Sequence, residues 1–435
     1  MRRELALVFG ARVTWLVAAI SALLVGHGFV LAIDLFSAAS RSALGHQLLQ
    51  RELDPLAGIV GPTLGGLYLA TALLLPVIAV RGLAVEKERR SYGALALRAG
   101  ATHRIVLAKL VAAFAAAALL LLPPLVLFVA YAIAGGHLDA IETLTAVLGH
   151  ALDLALIVAV SLAAAAATRT VAQATVLAIA LSLGSWAIDA SGELAALAWM
   201  GSLEWASIGR RLAPFEHGIF HLGSLAWLLV ASASAATCAV VVGRIEHTMR
   251  RWWIASGTAL VTLVLLALLG RVQRGYDWSE ERRQSFPAEI VEAMRALPGD
   301  LTLDVWLDRD DGRRTELERG PLAKLVLARP DADVRMPLDR DASSLAARDA
   351  DYGRIVIEVG NETRETRSSA DEELVRLIFD AARRPMPAWV DPPYPGYPFV
   401  IDGTARTTLA VLAYLVVPIA FVALGLFFTR SRRRS

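Results

Sequence analysis

Hydrophobic residues are concentrated in eight long runs that contain very few charged side chains. The hydrocarbon core of a bilayer is about 30 Å thick, and a helix needs about 20 apolar residues to cross it. Each run therefore predicts a transmembrane helix, including the first, which is too long and lacks the small-residue cleavage pattern of a signal peptide. The predicted spans are 13–33, 63–80, 105–133, 143–167, 171–188, 219–242, 254–270 and 408–428.

The periodicity changes between the seventh and eighth runs. Residues 301–307 and 354–359 alternate apolar and polar positions, which is typical of half-buried strands. Helical spacing is found over 288–297, 316–328 and 371–384. About 110 residues suffice for one hydrophobic core, so an α/β domain is predicted over 271–384. The proline-rich stretch 385–404 predicts an extended, stiff tether that leads to the last span.

The predicted fold class is therefore a polytopic α-helical membrane protein with about eight transmembrane helices and an extracytoplasmic α/β domain between the last two. Five parts follow from these patterns. They are a six-span domain over 1–250, the seventh span over 251–270, the α/β domain over 271–384, the tether over 385–404, and the eighth span with a basic tail over 405–435.

Composition and charge agree with this organisation. Of 435 residues, 56% are hydrophobic and 19% charged, a balance that excludes an ordinary soluble enzyme. The single cysteine, Cys238, excludes an intrachain disulfide and a cysteine-based metal cluster. Residues 271–404 contain 20 basic and 27 acidic side chains, so this part carries a net −7 and the remainder +9.

Lysine and arginine predict the orientation, because positively charged flanks of spans stay in the cytoplasm. With the N-terminus inside, the cytoplasmic segments contain 18 basic residues, and the opposite side contains five outside the α/β domain. This asymmetry places both termini in the cytoplasm and the acidic domain outside it.

The chain lacks the common catalytic motifs. No phosphate-binding loop, zinc-protease motif, nucleophile elbow or dinucleotide fingerprint is present, so the chain cannot hydrolyse ATP alone. His217 and His221, four apart beside Glu216, could offer two imidazoles to a metal, but no third ligand pattern is adjacent, and we favour interfacial packing. We predict no enzymatic activity, no cofactor, no metal and no nucleic-acid partner.

Two titratable residues fall inside the fourth predicted span. Asp153 lies near its middle, and His150 lies one helical turn earlier, so the two share a face. A carboxylate at that depth costs several kcal/mol and normally faces a partner or an aqueous path. Three hypotheses follow. The pair could act in transport or conformational change, or, more remotely, as an intramembrane acid and base. The third, which we favour, is an interhelical hydrogen bond to Ser161, Gln173 or another span.

The loop between the second and third runs, 85–111, is charged and amphipathic. Its pattern resembles the signature of ABC type 2 transporter permeases, in which E-R-x-x-G-T-L-x-x-L precedes a break and then R-x-x-x-x-x-K. The matching residues are Glu88, Arg89, Gly93, Leu95, Gly100, Arg104 and Lys109. Ala94 replaces the usual threonine of that signature, and Gly100 stands where proline is common.

The resemblance extends over about 245 residues, where the chain is similar to the permease of gliding-motility-type ABC transporters. The remainder resembles the auxiliary subunit of such systems, in shortened form, through a D-x-[ST]-x-x-x-x-x-S-[LF] phrase. The residues that match this phrase are Asp277, Ser279, Ser285 and Phe286. The chain thus resembles a natural fusion of the two proteins.

This resemblance implies a function. A permease of this class works in the bacterial cytoplasmic (inner) membrane as a homodimer or heterodimer, with a separate cytoplasmic ATP-binding subunit. A loop helix at about 86–97, beginning at Glu86, would dock on that subunit; the alternative is a solvated run of charges. A second hypothesis makes the chain a membrane-anchored scaffold whose outer domain binds an envelope protein.

Overall fold

The computed structural model describes residues 2–99, 102–191, 203, 205–244, 249–308, 311–340 and 351–431. Within these residues, eight helices are long and apolar enough to cross a membrane, as the sequence predicted. We number them as spans 1 to 8. They are Arg12–Ala43, Leu56–Glu88, Thr102–Ile133, Ala140–Ala167, Val171–Ile188, Leu222–Val242, Met249–Leu269 and Gly403–Arg430. The end of the bundle next to residues 271–402 is called the domain end, and the opposite end the basic end.

Spans 1, 2 and 4 form the centre of the bundle. Spans 1 and 2 approach closely at glycines: a Cβ at Gly28 would lie 2.8 Å from the carbonyl oxygen of Pro62, and one at Gly66 would lie 2.9 Å from that of Leu24. Span 8 packs on span 1, where the rings of Trp15 and Phe428 stack at 5.3 Å. Span 7 is peripheral and buries few of its side chains.

Several spans contain irregular turns. Span 2 consists of a π-helical turn Leu56–Val60, an α-helix Gly61–Ala79 and a short helix Arg81–Glu88. Span 3 is interrupted by a 3₁₀ turn, Leu119–Leu121, directly before two prolines. Span 8 has a π-helical turn. Among the described residues, the short α-helices outside both the spans and the α/β domain are Arg2–Phe9, Gln47–Arg51, Tyr92–Ala99 and Ile208–Glu216.

The α/β domain contains one four-stranded sheet among the described residues. The strands found in the described ranges are β1 (Ile219–His221), β2 (Gly275–Asp277), β3 (Leu301–Val305), β4 (Asp333–Arg335), β5 (Ile355–Val359) and β6 (Glu362–Thr366). In the four-stranded sheet the order is β4-β3-β5-β6; β3 and β4 are parallel and the other pairs antiparallel. The inward positions of β3 and β5 are buried, as their alternation predicted.

Five helices surround or flank this sheet within the described residues, Ala288–Arg295, Gly312–Arg319, Pro321–Ala328, Pro337–Arg340 and Asp371–Ala381. Those predicted over 288–297 and 371–384 are confirmed. The one predicted over 316–328 is wrong in detail, because the chain breaks at Gly320 and restarts with Pro321 in the first turn of a new helix. A proline there has no amide hydrogen to lose and already holds the helical φ.

Strands β1 and β2 pair antiparallel and join the domain to the bundle. Strand β1 immediately precedes span 6, and β2 follows span 7. The rings of Phe220 and Trp278 stack at 4.5 Å beside this pair. The domain is therefore attached to the bundle through backbone pairing as well as through the covalent chain.

The proline-rich segment has no helix or strand between 385 and 402, as expected for an extended tether. It is not a free spacer, however, because its second half packs on the bundle. The amides of Phe399 and Ile401 donate to the hydroxyls of Ser40 and Ser37 in span 1, at 2.9 and 3.2 Å. Gly396 has φ +70° and lies against the backbone of Gln50, where a Cβ would not fit.

Candidate functional site

The loop between spans 2 and 3 turns sharply at the basic end. Arg90 has φ +57°. The amide of Ser91 donates to the carbonyl of Glu86 at 2.9 Å, and the amide of Arg90 donates to the carbonyl of Lys87 at 3.0 Å. These two bonds form a Schellman cap that ends helix Arg81–Glu88. The single loop helix expected over 86–97 is therefore wrong, because the cap divides it into two short helices.

Lys109 is buried beneath this loop and binds two carboxylates. Its Nζ lies 2.9 Å from Glu4 Oε2 in helix Arg2–Phe9 and 2.8 Å from Glu86 Oε2, and it donates to the carbonyl of Gly82 at 2.6 Å. Only 2% of Lys109 is exposed. Burying one cation between two carboxylates requires all three to stay together. Lys109 and Glu86 thus hold the loop rather than face a partner.

Lys87 performs a similar task on span 4. Its Nζ donates to the carbonyls of Ala165, Ala166 and Thr168, at 2.9 Å and 2.6 Å for the first two. The last carbonyls of a helix lack partners within that helix and carry partial negative charge, so an ammonium group there is favourable. The loop is therefore fixed to the end of span 4.

Other predicted loop residues are accessible. Glu88, Arg89 and Arg104 are exposed, and Gly93 and Leu95 are half-buried. Gly100 lies outside the described residues. The hydroxyl of Tyr92 donates to the carbonyl of Gly243 at 2.8 Å, beyond the end of span 6, and burial raises the pKa of this tyrosine to about 12. The turn at Glu88 and Arg89 is thus exposed and charged, and the residues just before it, Glu86 and Lys87, are bound to the bundle.

His150 and Asp153 are buried in the middle of span 4, as the sequence predicted, but their partners are not the residues named there. His150 Nε2 lies 3.0 Å from Glu216 Oε1, and Asp153 Oδ2 lies 3.2 Å from the hydroxyl of Thr71 in span 2. An interhelical contact of Asp153 to another span was one of the expected alternatives. The named candidates are not its partners: no hydrogen bond to Ser161 or Gln173 is among the contacts of the described part of the chain.

Helix Ile208–Glu216 brings Glu216 to this site from the domain end. Ser207 caps that helix by accepting from the amide of Arg210. Burial alone would raise the pKa of Glu216, but the hydrogen bond from His150, the largest opposing contribution, lowers it.

The two histidines beyond Glu216 do not share a helix. His217 follows the helix end, whereas His221 belongs to β1 and caps span 6 by accepting from the amide of Ser224 at 3.0 Å. Burial and the nearby Arg211 lower the pKa of His221 to about 4. Among the described residues, no three His, Cys, Asp or Glu side chains are grouped as metal ligands.

A third cluster joins the domain to span 4 at the domain end. Arg283 lies 2.6 Å from Glu142 in the first turn of span 4 and 2.7 Å from Asp54. The amide of Glu280 also donates to Glu142, at 2.9 Å. Span 4 is thus bound to the domain at one end and to Lys87 at the other.

The phrase beginning at Asp277 has a structural explanation. Asp277 Oδ1 accepts from the amide and hydroxyl of Ser279, and Oδ2 accepts from the hydroxyl of Ser285 at 2.7 Å. Phe286 is buried in the core of the α/β domain. The matching residues therefore fix the turn that leads from β2 into the domain.

Sequence reasoning missed several of these residues. Thr71, Glu142 and Arg283 were not identified, although a carboxylate in the first turn of an apolar helix is a recognisable signal for a partner. Glu216 was noted only as a neighbour of two histidines.

A comparison with known proteins finds no matching family model, no matching curated protein and no matching solved structure.

Proposed function

We propose that this protein is the membrane-spanning permease subunit of an ATP-binding-cassette transporter complex. A separate cytoplasmic subunit hydrolyses ATP, and the chain, as a homodimer or heterodimer in the bacterial inner membrane, couples that hydrolysis to export or movement of a substrate. The basic end faces the cytoplasm and the α/β domain faces the outside. The resemblance of the loop to ABC type 2 permeases supports this assignment.

The observation that carries the proposal is the construction of the charged turn. Glu88 and Arg89 are exposed, while their neighbours Glu86 and Lys87 are bound to the bundle. A solvated run of charges needs no such anchors. A turn that transmits force between a partner and the spans does need them, because transmission requires contacts that differ between two states.

The test is co-purification from the native membrane. The full chain, extracted in mild detergent, is expected to bring down a protein with nucleotide-binding motifs and vanadate-sensitive ATPase activity. Arg89→Glu should reduce both by about tenfold, equivalent to about 1.4 kcal/mol of binding free energy. Arg169→Glu is the matched control, because Arg169 is exposed at the same end but outside the loop. No ATPase with the wild type, or equal losses in both variants, would contradict the proposal.

A second candidate function is a membrane-anchored scaffold that moves an envelope protein bound to its domain. The contacts of Arg283 with Glu142 and Asp54 favour it, because they hold the domain on the bundle and would pass motion to a bound partner. Measuring solute movement in vesicles that contain the complex separates the two: a permease moves a solute, whereas a scaffold does not.

A further inference from the structure

The middle of span 4 contains buried polar atoms without partners. Within the part of the chain that the structure describes, Asp153 Oδ1 and His150 Nδ1 have no hydrogen-bond partner, and the two residues are 0% and 1% exposed. An ionised carboxylate with a free oxygen at that depth is costly, whereas a neutral carboxylic acid is far cheaper to bury. The site is therefore unusual for a contact that only holds two helices together.

The bond to Thr71 indicates which form of Asp153 fits. The Thr71 hydroxyl lies 2.8 Å from the carbonyl of Tyr68 and 3.2 Å from Asp153 Oδ2. A hydroxyl has one proton, and the shorter contact to a carbonyl, which can only accept, takes it. The contact to Asp153 Oδ2 is therefore the weaker of the two, and a carboxyl group that carries a proton improves it by donating to the hydroxyl oxygen.

A chain of titratable groups leads from Asp153 to the domain end. His150 lies one turn away on the same face of span 4, and its Nε2 contacts Glu216. The side chain of Glu216 is 31% exposed, so it meets water. Histidine can accept a proton on one ring nitrogen while releasing one from the other.

Few other charges face this site. Spans 5 and 6 and the helix Gly61–Ala79 contain no charged residue. The helix Gly61–Ala79 has one titratable side chain, Tyr68, which lies one turn before Thr71. Helix Ile208–Glu216 contributes Arg210 and Arg211 besides Glu216, with His217 directly after it. At the basic end, Lys87 binds the carbonyls that end span 4, and Lys109 of span 3 is paired with its two carboxylates.

We propose that Asp153 is a proton-binding site and that His150 and Glu216 connect it to water at the domain end. On release, the carboxyl group turns, its proton passes to His150 Nδ1, and the proton on Nε2 passes to the Glu216 carboxylate. Asp153 then carries the negative charge that Glu216 carried before, histidine stays neutral in its other tautomer, and Glu216 gives the proton to water. The site goes beyond the transporter proposal and does not depend on it.

Infrared spectroscopy of the purified full chain tests the proton on Asp153. A protonated carboxyl group has a carbonyl stretching band that shifts when H₂O is replaced by D₂O. The wild type is expected to show one such band that Asp153→Asn lacks and Asp34→Asn retains, since Asp34 is ion-paired with Arg406 elsewhere. Asp153→Glu should keep a band at altered frequency, and this second variant covers the case in which Asp153→Asn does not fold.

The route is tested by the rate of the D₂O shift. Glu216→Gln should slow it at least about tenfold, because a relay group is removed. Glu52→Gln, which alters an exposed carboxylate of the same end, should leave the rate unchanged. Identical spectra in wild type and Asp153→Asn would overturn the proton site, and equal rates in wild type and Glu216→Gln would overturn the route. If the protonated-carboxyl band of Asp153 disappears when Na⁺ replaces choline in the buffer, the site binds sodium, and the proton site is overturned.

Discussion

The Nζ atom of Lys87 lies 2.6 Å from the carbonyl oxygen of Ala166, so a loop lysine completes the last turn of span 4. Three carbonyls share this one ammonium group. The contact fixes the loop between spans 2 and 3 to the end of span 4. Removing the ammonium group of Lys87 is therefore the simplest way to detach the loop from that span.

Lys87→Met should therefore loosen the basic end. Methionine keeps much of the side-chain volume but leaves three carbonyls without their donor, at a cost of about 1–3 kcal/mol in the free energy of unfolding. Thermal unfolding of the detergent-solubilised chain measures the effect. Arg89→Met, on an exposed neighbour, should shift the midpoint little, and equal shifts for the two variants would contradict the capping role.

Lys109→Met should be more damaging, because it leaves Glu4 and Glu86 facing each other without a cation. Breaking a buried ion pair by removing one partner costs about 3–5 kcal/mol. Adding Glu4→Gln and Glu86→Gln to Lys109→Met should recover part of the lost stability. A triple variant as unstable as Lys109→Met alone would show that the loss arises from packing and not from charge.

Acidification should destabilise the domain end through His221. Its pKa is about 4 in the folded chain, well below the value of an unfolded histidine, so the unfolded state binds more protons between these values. Stability is then lost as the pH falls from about 6.5 toward 4, by up to about 1.4 kcal/mol per pH unit. The lowered pKa of His217 acts in the same direction.

Unfolding midpoints at several pH values measure this dependence. His221→Asn, which retains a capping side chain, should flatten the curve. His46→Asn, on an exposed histidine of the same end, should leave it unchanged. Parallel curves for His221→Asn and wild type would exclude His221 as the source.

Arg283→Met should free the domain from span 4. Its loss leaves Asp54 and Glu142 without their shared cation and weakens the turn that carries the Glu280 amide. Hydrogen exchange of that amide should become faster, while exchange in β3 and β5 stays slow because the domain core is unaffected. The control is Arg282→Met on the exposed neighbour. Uniformly faster exchange throughout the domain would indicate unfolding instead of undocking.

Topology remains a prediction from the arginine distribution. A reporter fused after Gly312 should be active only outside the cytoplasm, and one fused at the C-terminus only inside it. Cytoplasmic activity of the Gly312 fusion would reverse the orientation and remove the loop from reach of a cytoplasmic ATPase.

Hydrophobic periodicity predicted the helices and strands that bury one face of their own apolar residues. The eight spans and strands β3 and β5 were found this way, because apolar residues recur at the period of one helix or one strand. Strand β6 was missed because it lies at the sheet edge and consists entirely of polar residues. Strands β1 and β2 have three residues each, too few for a period.

The site was predictable in composition but not in its contacts. A buried Asp153 and His150 follow from their place in an apolar helix, yet Glu216 is 66 positions from its histidine. In the same way, Lys87 and Lys109 were placed in one charged loop, and only the fold shows that both point inward. Such pairings depend on how helices cross, which a local pattern does not contain.

The bonds from Ser40 and Ser37 to the proline-rich segment set an order in time. Ser40 lies 359 positions before the amide of Phe399 that it accepts from. At roughly 5–20 residues per second, the ribosome needs about 20–70 s to make that stretch. During this interval span 1 is already synthesised, but the hydroxyls of Ser37 and Ser40 lack these two donors. Docking of the proline-rich segment on span 1 is therefore among the last events of biogenesis, and a chain stopped before residue 399 would not form these bonds.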